Sequence, residues 1–317
     1  MRPDALLHAK TRDGWRLAIH HWRPRSLVHE EPVLLCHGLA ASALTYELGV
    51  GVGLAPWLAA RGHSVFAIDL RGAGASERPR LGGKRSFSWG VHEYLTLDIP
   101  AAIERVLRET GRERVHWVGH SMGGVLLLAF ASTELGARLR TATVVGSTLD
   151  YKIGSDFGRV KQLFSLLRLL HVAPVSTLAR AWAPFARDHY LDDFMFAPPS
   201  LTPDEKRALW RGCFSWIPGR VLRELATTFE PESFRGRDGV RWAHGLPRIV
   251  SPLLSIAGTR DRQCPVAAAR DSFERLGSVE KKFRVFEGLG HFDLLVGSRA
   301  EQEVFPEIAS WIENSRT

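Results

Sequence analysis

The residues best suited to chemistry form one short motif around a serine. Residues Gly119–Gly123 read GHSMG, which fits the pattern G-x-S-x-G. The apolar run Val115–Val118 precedes the motif and a helical pattern follows it, so it lies in the strand–turn–helix setting that its chemistry requires. In that setting the turn is so tight that Ser121 must adopt a strained backbone and its hydroxyl stands above the sheet. We therefore predict Ser121 as a nucleophile.

A serine hydroxyl needs a base, and the base needs an orienting acid. His291 is the candidate base, because it lies in the Gly-flanked loop 287–292 after the last predicted strand. Asp261 is the candidate acid, because it follows another apolar strand and completes the chain order Ser, Asp, His. Asp150, just beyond the run Thr141–Val145, stays open as an alternative acid.

Acyl transfer through such a serine also needs two backbone donors for the oxyanion. The N–H of Met122, next to the nucleophile, is one candidate. The N–H of Leu39 is the other, because it lies in the loop that follows the apolar strand Pro32–Cys36. Gly38 lets the backbone come close there, and we predict that His37 and Gly38 also contact the substrate.

The rest of the chain predicts a scaffold that brings these loops together. Short apolar runs alternate with helical stretches, which favours a mostly parallel, doubly wound sheet with helices on both faces. The predicted strands are Leu6–Lys10 and Trp15–Trp22 (a hairpin), Pro32–Cys36, Ser64–Ile68, Val115–Val118, Thr141–Val145, Leu253–Ala257 and Phe283–Phe286. The predicted helices are Leu54–Arg61, His92–Glu109, Ser121–Leu135, Val266–Leu276 and Glu301–Asn314.

The alternation stops between residues 150 and 247, where no buried-strand run is clear and helix-like segments such as Val160–Leu170 occur. We predict a helical cap at 150–247, inserted between two parts of one α/β core at 1–149 and 248–317. The insertion is rich in aromatic residues, of which about half are expected to be packing residues. As pocket residues we predict Trp182, Phe185, Phe194 and Phe214, within a wider set that includes Met195, Phe196, Trp210 and Trp216.

Composition excludes several classes of protein. The 317 residues are 45% hydrophobic and 24% charged, which are ordinary globular values. The net charge of +8 comes from scattered basic residues and not from a stripe, so we expect no nucleic-acid partner. No apolar run is long enough to span a bilayer. Cys36, Cys213 and Cys264 are too few for a disulfide framework, and with no visible secretory signal they indicate a cytoplasmic protein.

We expect neither a metal nor a cofactor. His116 and His120 are four residues apart, but on a strand and not on one face of a helix, and the adjacent His20 and His21 would point to opposite faces of a strand. The glycine-rich stretch Gly49–Gly53 lacks the spacing of a dinucleotide-binding loop. In the segment Asp69–Ser76 we expect Asp69 and Arg71 to brace neighbouring loops through hydrogen bonds.

Taken together, these features resemble the α/β-hydrolase superfamily. The residues that carry the resemblance, in the family's order and spacing, are His37-Gly38, Asp69–Ser76, Gly119–Gly123, Asp261 and His291. The stretch Trp89–Gly124, with Asp98-Ile99-Pro100-Ala101 and Thr110-Gly111 before the serine motif, is similar to the acid-lipase and related lipase/esterase branch. The resemblance implies an α/β-hydrolase fold with a mainly helical cap.

The function expected is hydrolysis of carboxylic esters through an acyl-enzyme intermediate, with a small-molecule ester carrying an apolar acyl or aryl group as the partner. A thioesterase, lactonase or acyltransferase with the same three residues is the alternative. A ligand-binding protein without turnover is a third reading, which intact candidates at all three positions disfavour.

Overall fold

The computed structural model describes most of the chain. The described residues are 2–47, 53–80, 85–151, 170–186, 194–197, 201–230 and 233–315. Two sequence predictions fall outside these ranges wholly or largely: the helix-like segment Val160–Leu170 and the glycine-rich stretch Gly49–Gly53.

The core is an eight-stranded sheet in which six neighbouring strands are parallel. The strands of the protein are β1 (Ala5–Lys10), β2 (Arg16–Trp22), β3 (His29–Cys36), β4 (His63–Asp69), β5 (Val115–His120), β6 (Leu139–Val145), β7 (Val172–Ala173), β8 (Ile217–Pro218), β9 (Leu253–Gly258) and β10 (Lys281–Phe286). Their order in the main sheet is β1-β2-β4-β3-β5-β6-β9-β10. The hairpin β1–β2 joins β4 antiparallel, and every later pair is parallel. All eight strands predicted from sequence are present.

Eight α-helices of seven or more residues are described, and the main ones cover both faces of the sheet. They are α1 (Leu54–Ala60), α2 (Ile99–Thr110), α3 (Met122–Ala131), α4 (Val175–Trp182), α5 (Pro203–Gly212), α6 (Gly219–Ala226), α7 (Val266–Glu274) and α8 (Phe305–Asn314). Short 3-10 turns lie at Ala43–Tyr46, Glu134–Arg138, Ala183–Phe185, Thr227–Phe229, Trp242–Arg248 and Phe292–Leu294. No described helix is both long and apolar enough to cross a bilayer.

Side-chain alternation along β3 builds the two halves of the core. Leu34 and Cys36 pack in the cluster that contains the buried sides of α2 and α3. Val33 and Leu35 pack in the cluster that contains the buried sides of α1 and α8. Because successive residues of a strand point to opposite faces, a continuous apolar run is what a strand covered on both sides requires.

Helix ends differ from the predictions in three places. The helix predicted at Ser121–Leu135 ends at Ala131, and a 3-10 turn follows. The helix predicted at His92–Glu109 begins as one α-turn at Val91–Glu93, passes through a π-helical turn at Tyr94–Asp98 and continues as α2. A π-helical turn at Ala300–Val304 likewise precedes α8. Apolar periodicity reports which face is buried and does not report such local changes in pitch.

The stretch 150–247 differs from the core in its described part. It holds α4, α5 and α6, together with the short strands β7 and β8. These two strands pair antiparallel as a separate small sheet, with Val172 opposite Pro218. Strands of two residues carry no recognisable periodicity, which is why the sequence did not reveal them. The division into a core and a cap at 150–247 stays a prediction.

Candidate active site

Ser121 lies on the sharp turn between β5 and α3. Its backbone angles are φ 52° and ψ −121°, a conformation that residues with a side chain rarely adopt. The turn is possible because Gly123 has no side chain: a Cβ there would lie 2.1 Å from the Cys36 carbonyl oxygen. The strained turn predicted from the GHSMG motif is therefore present, and it leaves Ser121 partly exposed at the carboxyl end of the sheet.

His291 and Asp261 come together from the loops after β10 and β9. His291 Nδ1–H donates to Asp261 Oδ2 at 2.8 Å, and the side chains of both residues are buried. The other oxygen of Asp261 accepts the backbone N–H groups of Gln263 and Cys264, each at 2.8 Å. These bonds hold the carboxylate in place and set the imidazole so that Nε2 is the nitrogen left for chemistry.

Asp150, the alternative acid, is engaged elsewhere. Its Oδ2 accepts a hydrogen bond from the Ser233 hydroxyl at 2.8 Å and lies 3.6 Å from Arg275 Nη1. The structure thus pairs His291 with Asp261 and not with Asp150.

Ser121 lies at the same edge of the sheet as the histidine–aspartate pair, although it follows a different strand. Its N–H donates to the Val145 carbonyl at 3.0 Å. Gly146, which follows Val145 in the chain, lies so close to the pair that a Cβ there would be 3.0 Å from Asp261 Oδ2 and 3.3 Å from His291 Nδ1. No hydrogen bond joins Ser121 Oγ to His291 within the described residues. Without substrate this is common, because catalytic hydrogen bonds often tighten only in the complex.

His120 supports the base from the other side. Its Nε2–H donates to the His291 carbonyl at 3.1 Å, and the two rings lie 4.6 Å apart between centroids. Burial lowers the pKa of His120 well below its ordinary value. His120 is therefore neutral at pH 7 and does not repel an imidazolium formed at His291.

The two predicted oxyanion donors border the same cavity as Ser121. Leu39 and Met122 both line it. In the described part of the chain, neither N–H donates to a backbone carbonyl in the turns and loops, so both remain available to a ligand. Gly38 lies close to the nucleophile, since a Cβ at this position would be 3.0 Å from Ser121 Cβ.

His37 has a different role from the one predicted. Its ring is buried, Nδ1–H donates to the Gly38 carbonyl at 2.8 Å, and Nε2 accepts the N–H of Leu70 at 3.2 Å. Burial also lowers the pKa of His37, so the ring stays neutral. With both nitrogens occupied, His37 supports the loop before Leu39 and does not contact a substrate through its ring.

The cavity beside Ser121 measures about 70 Å³ and is mostly apolar. Its described lining is Leu39, Ser121, Met122, Val125, Tyr151, Phe194, Leu225, Thr228, Phe229 and Gln263. A larger groove of about 750 Å³ lies at the β1–β2 edge of the sheet, but none of the candidate residues borders it.

Of the four predicted pocket aromatics, only Phe194 is part of this lining. Phe214 is buried and packs on Trp210 and Phe292, with ring centroids 5.2 and 6.3 Å apart. Phe185 is 66% exposed, and Trp182 lies beside it with ring centroids 6.2 Å apart. Trp182, Phe185 and Phe214 are therefore not in the described lining, and their pocket role stays a prediction.

The cavity-lining residues that the sequence analysis missed lie at four places, one of which is Tyr151 in the segment after β6. Val125 lies one helical turn after Ser121, at the start of α3, and Gln263 lies two residues beyond Asp261. Their closeness in sequence to the predicted triad could have indicated that they line the cavity. Leu225, Thr228 and Phe229 at the end of α6 are distant in sequence and gave no signal.

Asp69 braces the loops around the site, as predicted. Its carboxylate is buried and accepts hydrogen bonds from the N–H groups of Ala43 and Ala75 at 2.7 and 2.8 Å. His20 Nε2 lies 2.8 Å from the same carboxylate. Although burial acts to raise it, these partners together lower the pKa of Asp69, so the group is charged at neutral pH.

Arg71 braces a second junction. It is almost fully buried, its Nε–H donates to Asp98 at 2.8 Å and its Nη1–H donates to Asp13 at 2.7 Å. The network joins the loop after β4 to the hairpin turn and to the start of α2. Burial raises the pKa of Asp98 to about 6, against the opposing effect of Arg71.

The residues described contain one group whose atoms are close enough to share a metal ion. His29, His63 and Glu313 place their ligand atoms within 4.8 Å of one another. Glu313 already forms a two-oxygen ion pair with Arg61, at 3.1 Å to each oxygen. We therefore interpret the group as an ion-pair cluster. It was not predicted, because its members are dispersed along the sequence.

All three cysteines are free and buried. They are available neither for disulfides nor, without movement, for reagents. The cytoplasmic location remains a prediction.

Comparison with known proteins supports the assignment of the fold. The α/β hydrolase fold family matches residues 31–176. Lipase 1 of Drosophila melanogaster is 35% identical over 122 residues, which are 37% of this chain and 27% of that protein. Gastric triacylglycerol lipase of Rattus norvegicus is 26% identical over 196 residues, which are 59% of this chain and 43% of that protein. This chain thus spans less than half the length of these curated relatives.

Among solved structures, a soluble variant of monoglyceride lipase from Saccharomyces cerevisiae aligns with a TM-score of 0.72 at 17% identity. The alignment covers 99% of this chain and 95% of that one. The chain is an α/β-hydrolase-fold protein. Within that class it is similar in sequence to lipases, which confirms the resemblance drawn from its motifs.

Proposed function

We propose that this protein hydrolyses carboxylic esters through an acyl-enzyme intermediate on Ser121. The observation that carries the proposal is the strained Ser121 turn beside the hydrogen-bonded His291–Asp261 pair, at the edge of a cavity. A buried histidine bound to a carboxylate is common in proteins. A serine forced into a left-handed backbone at the same strand ends is not, and such strain persists where function requires it.

In the first half of the reaction, Ser121 Oγ attacks the acyl carbon and His291 Nε2 takes its proton. Asp261 holds Nδ1–H and stabilises the resulting imidazolium. The negative oxygen of the tetrahedral intermediate accepts the N–H groups of Leu39 and Met122, each of which lowers the barrier by about 3 kcal/mol. The imidazolium then protonates the departing alkoxide, and the alcohol leaves.

In the second half, a water molecule gives a proton to His291 and attacks the acyl carbon of the ester on Ser121. The same two N–H groups stabilise the second tetrahedral intermediate. Its collapse returns the proton to Ser121 Oγ and releases the carboxylic acid.

The substrate that the cavity favours is an ester with an apolar acyl or aryl group. Leu39, Val125 and Leu225 present aliphatic surface, and Phe194 and Phe229 present aromatic surface. The relatives named as triacylglycerol and monoglyceride lipases act on esters of this kind, which supports the choice of substrate class.

The test is a panel of aryl esters of increasing acyl length, assayed with wild type and Ser121→Ala. We expect turnover by wild type and a loss of at least about 10⁴-fold in Ser121→Ala. A fluorophosphonate should label wild type once, at Ser121. The matched control is Ser132→Ala at the far end of the same helix, which should retain activity and labelling. Equal rates in wild type and Ser121→Ala, or labelling of another residue, would reject the proposal.

A further inference from the structure

Four residues of the region predicted as the cap, 194–197, lie across both loops that carry the candidate base and acid. Gln263 Nε2–H donates to the Phe194 carbonyl at 3.1 Å. The N–H of Phe292 donates to the Met195 carbonyl at 2.9 Å. The N–H of Ala197 donates to Asp293 Oδ2 at 2.6 Å. Gln263, Phe292 and Asp293 each lie one or two residues from Asp261 or His291.

Asp293 forms the centre of this contact. It is 1% exposed, and its Oδ2 accepts the N–H of Gly290 at 2.8 Å as well as that of Ala197. One carboxylate oxygen therefore joins the residue before His291 to the 194–197 segment.

The contact is also tight in its packing. A Cβ on Gly290 would lie 2.7 Å from the Ala197 nitrogen and 3.0 Å from the Phe196 carbonyl carbon. Phe196 is 2% exposed and packs against the ring of Phe292, with centroids 5.8 Å apart. The His291 loop and the segment thus approach each other through backbone, so closely that a side chain at position 290 would not fit.

Gln263 connects the same segment to the acid. Its N–H donates to Asp261 Oδ1 at 2.8 Å, while its side-chain amide lies 3.1 Å from the Phe194 carbonyl and 3.3 Å from Met195 Sδ. The segment is therefore joined on one side to the loop of the base and on the other to the loop of the acid.

We infer that Asp293 and Gln263 are positioning residues that hold the His291–Asp261 pair in register with the 194–197 segment. The inference rests on the proposed function for its catalytic meaning. Asp293 fixes the position of the His291 loop, and Gln263 fixes the position of the Asp261 loop. The 194–197 segment, which both residues bind, fixes the distance between the two loops. A displacement of the base by about 1 Å costs on the order of 10²-fold in rate.

The test uses the full-length protein and two readouts. The first is the low-field proton NMR signal of His291 Nδ1–H, assigned by its disappearance in His291→Asn. In Asp293→Ala we expect this signal to weaken and its exchange with water to accelerate. In the same variant kcat should fall about 10²-fold with KM within about threefold of wild type. Asp293→Asn keeps an acceptor oxygen, so its His291 Nδ1–H signal and its kcat should be close to those of wild type.

The matched control is Glu93→Ala, because the Glu93 carboxylate also accepts a backbone N–H, that of Gly90 at 2.6 Å, but lies before α2 and does not line the cavity. It should leave the signal and kcat unchanged. If Asp293→Ala folds poorly, Gln263→Ala serves instead, and we expect faster exchange of the same proton and a loss in kcat of several-fold.

Unchanged exchange in Asp293→Ala, or equal losses in Glu93→Ala, would overturn the inference. If the signal responds as expected but no variant, wild type included, turns over any ester, the positioning role stands and the proposed function fails.

Discussion

The main sheet has a histidine near a carboxylate at both of its ends, at the carboxyl ends of β9 and β10 and at the amino ends of β3 and β4. Only the carboxyl end has the other parts of an active site. At the carboxyl ends, His291 binds Asp261 at 2.8 Å near Ser121. At the amino ends, His63 Nε2 lies 3.3 Å from Glu313 Oε1, and the ring of His29 stacks on that of His63 with centroids 4.0 Å apart.

The two ends differ in what surrounds the histidine. Glu313 is paired with Arg61, whereas the partners of Asp261 among the described residues are His291 and N–H groups of its own loop. None of the amino-end residues borders either of the described cavities, and none has a strained backbone. A histidine–carboxylate pair is therefore not sufficient for catalysis. It also needs a nucleophile, available N–H donors and a space for substrate, and only loops after the strands supply them here.

Asp261→Asn should cause the largest loss of activity and so separate the two ends of the sheet most clearly. We expect kcat for an aryl ester to fall about 10⁴-fold, because the amide cannot hold the imidazole in the tautomer that accepts the serine proton. Asp150→Asn should stay within a few-fold of wild type. A large loss in Asp150→Asn with little loss in Asp261→Asn would make Asp150 the acid. Steady-state kinetics on both variants, with circular dichroism to check folding, decide the matter.

Gly38→Ala tests how closely the oxyanion loop approaches the nucleophile. The new methyl group would be 3.0 Å from Ser121 Cβ, so the loop or the serine must move. We expect kcat/KM to fall about 10²-fold with the thermal midpoint little changed. Gly111→Ala is the control, since nothing lies within 4 Å of its Cβ position and only its positive φ is strained. Equal activity in Gly38→Ala and wild type would remove Leu39 from the oxyanion hole.

At the amino ends we expect effects on stability alone. Burial lowers the pKa of His63 to about 4 from the ordinary 6.5, with His29 and Arg61 acting in the same direction. Between pH 6.5 and 4 the unfolded chain binds a proton that the folded protein does not, so the free energy of unfolding falls as the pH falls through this window. His63→Phe should reduce the loss between pH 7.5 and 5 by about 1–2 kcal/mol.

Urea unfolding at the two pH values measures this difference. His21 and His116 are also held at low pKa by burial, so the variant should retain part of the acid sensitivity. An identical pH dependence in His63→Phe and wild type would contradict the assignment.

The smallest effect on activity is expected for Glu313→Gln. Glu313→Gln makes the same chemical change at the other end of the strands as Asp261→Asn makes near Ser121. We expect kcat/KM to stay within about twofold of wild type and the free energy of unfolding to fall by about 0.5–1 kcal/mol, because the ion pair with Arg61 is partly exposed. A loss of activity with stability preserved would show that the cluster communicates with the active site.

Sequence reasoning was most successful where one local pattern determines one structure. The central strands were recognised because a strand buried on both faces carries a short apolar run, such as Val65–Ile68 in β4. The Ser121 turn was recognised because few residues other than glycine fit at 119 and 123. His291 and Asp261 were chosen from their positions after strands, and the sheet order places those two strand ends side by side.

The remaining features depend on contacts between distant segments. Aromatic composition could not separate Phe194, which borders the cavity, from Phe214, which packs against Phe292. The change in the assigned role of His37 depends on a hydrogen bond from Leu70, which no local pattern encodes. The cluster of Glu313 with His63 joins residues 250 positions apart.

The helix that carries the nucleophile, α3, is buried along its entire length, from Met122 to Ala131. Its surroundings leave little freedom to redesign the position of the reactive oxygen, since any change there is also a change to the packed core. Leu225, Thr228 and Phe229, at and just after the end of α6, line the cavity and carry none of the proposed reacting groups. Evolution, or an engineer, can therefore alter which molecules are admitted by rebuilding those parts while the reacting groups stay where they are.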